Sequence, residues 1–207
     1  MSKRLNVFLL CFLFAGWFSA ACGTTEPPTE ENLTDEVRVP ASVLGDPGES
    51  GKKLADAVND YREKNGLARI AWSPSLGIVA ATHLRDIEKW YSPGAQDNCN
   101  MHGWSNQTFW HGCCYVQADP DGPCMWDKPR ELTGFPGNGF EVAASIGGGG
   151  AKAADAVDAW DSSPGHRSVI LNQGDWRRLQ WRSIGAAMGK NYAFVWFSDA
   201  AQPVSSR

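Results

Sequence analysis

The sequence predicts an α/β (α+β) domain whose sheet is covered by helices, set behind an export leader. Three observations carry the fold expectation. Two stretches of helical periodicity fall between residues 51 and 91, a third helix follows a glycine run near residue 150, and a strongly apolar hairpin closes the chain. Helices placed before and between strands call for a sheet with helical cover.

Leu54, Val58 and Tyr61 recur at helical spacing, and Asn65-Gly66 supplies a stop, so residues 51–65 read as the first helix. Ser73-Pro74 is an N-cap and first-turn pair for the second. Its apolar stripe runs through Leu76, Val79/Ala80, His83/Leu84, Ile87 and Trp90/Tyr91. Residues 92–138 show no periodicity. They are rich in Gly, Pro, Asp and Asn, and they hold four cysteines with Trp104, Trp110 and Trp126. After Gly147 to Gly150, Ala153, Val157 and Trp160 mark a third helix that stops near Pro164-Gly165. Ser183 to Met188, the turn Gly189-Lys190-Asn191, and Tyr192 to Ser198 read as a β-hairpin. Its second strand is apolar enough to be buried and central.

The chain begins as an exported protein would. Lys3 and Arg4 form a positive start, and Val7 to Ala21 form an apolar run of 15 residues. That run is shorter than the roughly 20 residues a membrane-crossing helix needs, so residues 1–21 read as a signal peptide. Two kinds of processing would cut at the same bond. Ordinary cleavage would use Ser19 and Ala21 as its small pair, whereas lipoprotein processing would leave Cys22 as an acylated N-terminus, although Ser19 stands where lipoprotein signals usually carry Leu. Residues 22–49 then read as a lipid-anchored flexible linker, rich in Thr, Pro and Glu at its start. Without the leader, 17 basic residues face 23 acidic ones, a net charge of −6. This balance, with no basic block, argues against nucleic acid and against anionic headgroups as partners.

Cysteine usage favours lipidation of Cys22. Cys11 leaves with the signal, and Cys99, Cys113, Cys114 and Cys124 cluster within 26 residues, which leaves Cys22 alone. A lone exposed thiol is a liability in an oxidising compartment; an acylated one is not. Bonding Cys113 to its neighbour Cys114 would close a strained ring. Two pairings remain open, 99–113 with 114–124, or 99–114 with 113–124. The bonds read as staples for a long loop, because their spacing matches neither a zinc ribbon nor a redox CxxC.

The most specific stretch is Ala156-Val157-x-x-Trp160-x-x-Ser163-Pro164-Gly165-His166-Arg167. It resembles the signature of bacterial members of the CAP superfamily, the cysteine-rich secretory, antigen 5 and pathogenesis-related proteins, also called SCP domains. Asn59-x-x-Arg62-x-x-x-Gly66-Leu67 and Ile70-x-Trp72-x-x-x-Leu76 are similar to the family's opening helix, turn and second helix. Met101-His102 resembles its histidine after that helix, and Glu141 its glutamate. The resemblance spans residues 50–199, and the domain is placed at residues 50–200 with its disulfide-bearing loop at 92–138.

The resemblance implies a three-layer α-β-α sandwich with an open cleft, lined in the family by two histidines and one or two carboxylates. Carried over, the metal or cleft residues are His102, Glu141 and His166, with Ser163 at the periphery. Several family members bind zinc or another divalent ion there, and imidazoles with a carboxylate suit such an ion. Ser163-Pro164 would place His166 at the positive end of a short helix, a field that keeps its ring neutral for a metal. Departures from the family pattern are Phe140 and Val142 beside Glu141, Val169 in place of an amide side chain, and a long stretch at 173–182. His83, beside the apolar stripe, is read as structural, and His111 as loop packing.

These readings converge on an envelope lipoprotein of the bacterial outer membrane, periplasmic or surface-facing, since Gly23 replaces the Asp that often retains lipoproteins at an inner membrane. It would be a monomer that meets the membrane only through its N-terminal lipid. Its cleft would bind a divalent metal or an unknown small or lipidic ligand. One alternative is a metal-dependent hydrolase with Glu141 as general base; no catalytic residue beyond that is assigned, and neither HExxH nor GxSxG occurs. Another is a glycan- or partner-binding protein acting through the loop tryptophans 104, 110 and 126.

Overall fold

The structure is a computed structural model and describes residues 39–94, 98–116, 119–120, 122–147 and 150–204. The leader, Cys22 and the linker through residue 38 lie outside the described residues. Among the described residues no helix is long and apolar enough to cross a membrane.

The chain runs α1 (Gly48–Lys64), β1 (Ala71–Trp72), α2 (Pro74–Lys89), β2 (Tyr115–Val116), β3 (Asp119–Pro120), α3 (Gly122–Thr133), β4 (Phe140–Ser145), α4 (Ala153–Asp161), α5 (Pro164–Ile170), a 3-10 turn (Gly174–Arg178), β5 (Ser183–Met188) and β6 (Tyr192–Ser198). Four strands form one sheet in the order β1-β5-β6-β4, with β1 parallel to β5 and the other pairs antiparallel. β6 is therefore interior, as its apolar composition demands. Its alternate residues serve opposite faces. Ala193, Val195 and Phe197 join the core formed with α1, α4 and α5, whereas Phe194 and Trp196 join the core formed with α2 and α3. Helices thus cover both faces, and the α-β-α sandwich implied by the family resemblance is the architecture found.

Local chemistry sets the element ends. Gly66, at φ 77°, follows α1 in the left-handed region. Its N–H reaches Glu63 O while Leu67 N–H reaches Arg62 O, which satisfies carbonyls that a helix end otherwise leaves open. Ser73 accepts from Leu76 N–H at the start of α2, and Pro74 occupies the first turn, where a missing N–H costs nothing. α2 lies directly on β5, since a Cβ at Gly185 would come within 2.1 Å of Gly77 N. Trp160 of α4 is buried and donates its indole N–H to Ala143 O of β4 at 3.1 Å.

Two expectations change. Residues 92–138 are not uniformly irregular, because α3 lies within them. Its buried stripe is Met125, Lys128, Pro129 and Leu132, the i, i+3, i+4, i+7 spacing of a helix, but with a lysine and a proline in two of four places. The second change concerns residues 39–47, at the end of the expected linker, which pack on α2. Val39 is buried, Gly45 N–H reaches Thr82 Oγ1 at 3.0 Å, and Arg85 donates to the carbonyls of Ser42 and Val43.

Of the two disulfide pairings left open, the structure holds Cys99–Cys114 and Cys113–Cys124. Adjacent cysteines therefore pull in different directions. One bond closes the loop after α2 on itself, and the other fastens it to α3.

Candidate functional site

Glu141 enters the site from β4. It stands opposite Trp196 in the β4–β6 register, and strand alternation turns its side chain toward the α2 side of the sheet. There its carboxyl group is completely buried between two imidazoles. His102 Nδ1 lies 2.7 Å from Oε1, and His83 Nδ1 lies 2.6 Å from Oε2. Burial alone would raise the carboxyl pKa. The charge of His83 and hydrogen bonds from both rings outweigh it, so Glu141 is held below its ordinary value. The ionised carboxylate accepts from both rings.

His102 follows the Cys99 disulfide and sits on the loop, partly exposed at 16% of its side chain, with Tyr115 edge-on at 5.3 Å. Because its Nδ1 is committed to Glu141, Nε2 is the nitrogen on which this ring could take a ligand. His166 comes from α5, where its Nδ1 lies 3.0 Å from Ser163 Oγ. Ser163 occupies the N-cap position but makes no side-chain cap bond, its hydroxyl being turned to the imidazole instead. The His166 pKa is lowered, the direction the helix-end argument gives. Its causes are burial first and then the charge of His102, with Glu141 opposing. His102 and Glu141 are joined by a hydrogen bond, and the charges of both reach His166, which Ser163 contacts.

His83 is the member that the sequence reading set aside as structural. It is fully buried on α2, and its Nε2 reaches Gly103 O at 2.9 Å, while Nδ1 holds Glu141. A buried histidine must satisfy two ring nitrogens, and an apolar stripe offers no partner for either; that mismatch was the available signal.

The bonds already made restrict which of these atoms could meet a divalent cation. Both Glu141 oxygens already accept from imidazoles, so the carboxylate suits the outer role of orienting a ligand histidine rather than direct ligation. Among the described residues His102 Nε2 makes no hydrogen bond and is the atom that could meet a cation. His166 Nε2 could do so when Nδ1–H donates to Ser163. Among the described residues no group of three or more His, Cys, Asp or Glu is arranged to hold a metal ion.

The remaining candidates lie elsewhere. His111 is almost fully exposed and pairs with Glu131 at 2.8 Å. The three loop tryptophans do not make a common platform. Trp104 and Trp110 are buried, while Trp126 is exposed, as is Trp90 at the C-cap of α2. A cavity of ≈ 580 Å³ lies over the disulfide loop, lined by Trp90, Tyr91, Ser105 and Asn106 among others. Trp104 is its shared wall with the histidine site; His102, Glu141 and His166 do not line it.

Comparison with known proteins places the chain. The model of the cysteine-rich secretory protein family, CAP, matches residues 55–174. None of the curated proteins matches. Among solved structures, a cysteine-rich secretory protein from Staphylococcus aureus is 14% identical, with a TM-score of 0.45 over 74% of this chain and 41% of its own. An extracellular SCP-domain protein from Bacillus anthracis is 18% identical, with a TM-score of 0.46 over 72% and 40%. An outer surface protein from Borrelia burgdorferi is 18% identical, with a TM-score of 0.46 over 77% and 98%. The chain spans about two fifths of the length of the first two. The family match covers more than half of the sequence, and on that ground this chain belongs to the CAP, or cysteine-rich secretory protein, family.

Proposed function

We propose that this protein is an exported CAP-domain binding module whose cleft takes a divalent cation, zinc by preference, on His102 and His166. One observation carries the reading. The buried Glu141 carboxylate accepts from His102 Nδ1 at 2.7 Å, the outer-partner arrangement that fixes a metal-binding imidazole and leaves Nε2 outward. A bound cation would supply Lewis acidity and open positions for water or the oxygen of a small ligand. The chain's own residues orient it: Glu141 fixes His102, and Ser163 Oγ would accept from His166 Nδ1–H when Nε2 takes the cation.

Hydrolysis is the weaker reading. A general base needs a carboxylate oxygen free to take a proton from water, and both Glu141 oxygens are engaged by histidines. Export followed by lipid attachment at Cys22 belongs to the same proposal and rests on the sequence.

Zinc titration of the purified protein beside a His102→Ala/His166→Ala variant tests the cleft. One zinc bound by the wild type and none by the variant is the expected result; equal binding by both, or by neither, rules the site out. Metabolic labelling with a fatty-acid analogue should mark the wild type and spare Cys22→Ala, and equal labelling would remove the anchor.

A further inference from the structure

We propose that His83 is the positioning residue of the cleft. From beneath the site it clamps both the carboxylate that orients His102 and the carbonyl of Gly103 beside His102, and so sets the direction in which His102 presents Nε2. The inference rests on the reading of His102 as a cleft ligand, but it concerns a residue that neither the family signature quoted above nor the proposed ligand set includes.

The geometry is specific. Gly103 O can only accept, so His83 Nε2 donates to it at 2.9 Å. The opposite ring nitrogen meets Glu141 Oε2 at 2.6 Å, while His102 takes Oε1. A glutamate held at one oxygen swings easily about its terminal torsion, which is broad and poorly determined by itself. A second bond at the other oxygen fixes the carboxylate plane, and with it the direction of the His102 hydrogen bond. The same imidazole ties down the backbone one residue beyond His102, so ring and loop are referred to a single rigid point.

That point cannot easily move. His83 is fully buried, stacked on Trp104 at 4.1 Å between centroids, tilted against Phe194 at 4.6 Å and edge-on to Trp196 at 6.3 Å. Its acidic surroundings are Glu141 and, one helical turn along α2, Asp86, which in turn accepts from Ser105 N–H and Oγ of the same loop. Lys128 of α3 faces the group from behind Trp104, with Nζ 5.0 Å from that ring's centroid. If His83 were only core filler, an apolar side chain of similar size would serve as well. In this structure it would leave two buried acceptors without a donor.

Two conservative variants separate the links. Asparagine places its amide nitrogen near the Nδ1 position and can keep the Glu141 bond; glutamine reaches the Nε2 position and can keep the Gly103 bond. Long-range proton–nitrogen NMR on the metal-free, nitrogen-labelled protein reads the His102 tautomer directly. The wild type should show His102 protonated at Nδ1 with Nε2 bare, and slowly exchanging ring N–H protons on His83. His83→Asn should keep that tautomer. His83→Gln should give a mixture and weaken zinc binding by about tenfold or more, as loss of an outer partner does.

A His102 tautomer and zinc affinity unchanged in both folded variants would overturn the proposal. Fast-exchanging His83 ring protons in the wild type would overturn it even if neither variant folds. A wild type that binds no zinc while its His102 tautomer still depends on His83 would overturn the metal reading and leave the positioning role standing.

Discussion

The indole of Trp104 lies parallel to the imidazole of His83, 4.1 Å between centroids and 10° between planes. Its own N–H is buried without a hydrogen-bond partner. The residue therefore serves by area and stacking, not by its polar handle. Trp104→Ala should cost about 3–5 kcal/mol, the range for emptying a large aromatic site. Trp104→Phe keeps a ring on His83 and discards the unpaired N–H, so its loss should be clearly smaller. Urea unfolding of both variants gives the comparison, and equal losses would contradict it.

Acid should weaken the fold in two stages. His166 has a folded pKa below its ordinary 6.5, so its contribution is present above that value and declines as pH falls through it. Glu141 is likewise depressed, so its contribution is present above the ordinary carboxyl range and is lost as pH falls through the lower folded value. Asp86, raised chiefly by burial, works in the opposite sense and favours the fold at low pH. The decline between about pH 7 and 5 thus belongs mainly to His166. Urea midpoints measured across that range should flatten in His166→Gln, and an unchanged slope would refute the assignment.

Ser163→Ala tests the edge of the cleft. Since Ser163 makes no cap bond to α5, stability should stay within about 0.5 kcal/mol of the wild type. Zinc binding should weaken by about tenfold, because the hydroxyl that holds His166 Nδ1 is gone. Competition with a chromophoric chelator measures the second effect and thermal unfolding the first.

Arg62 links α1 to the segment that follows His166. Its buried guanidinium donates to Ile170 O, to Asn172 Oδ1 at 2.9 Å and to Ala68 O at 3.2 Å, and burial lowers its pKa. Arg62→Met keeps much of the volume and removes every donor. The expected loss is about 3 kcal/mol, from carbonyls left unpaired. Equilibrium unfolding showing a loss under about 1 kcal/mol would mean that water replaces the side chain.

Legibility in the sequence followed the range of the interactions. The C-terminal hairpin was readable because β5 and β6 are bounded by a glycine turn and their apolar content leaves no other assignment. α2 was readable from Ser73, Pro74 and its stripe. α3 was hidden because a lysine and a proline hold core positions, and those residues are ordinarily taken as signs of surface and of breakage. Glu141 and His102 came from family resemblance, which supplies residues but not their bonds. His83 was read as structural, and it is buried in the core; its bonds to Glu141 and Gly103 were not legible because those partners lie 58 and 20 residues away. The helix field expected to keep His166 neutral gave the right direction for an incomplete reason, since burial and His102 are what act on the ring.

The ring of chain closed by Cys99–Cys114 contains His102, Gly103 and Trp104: the outward imidazole, the carbonyl that His83 holds, and the indole stacked on it. A reductant that opens this one bond loosens all three together, and Cys113–Cys124 ties the same stretch to α3. The four strands of the sheet contain no cysteine. Oxidation therefore bears on the loop that carries these residues rather than on the sheet beneath it.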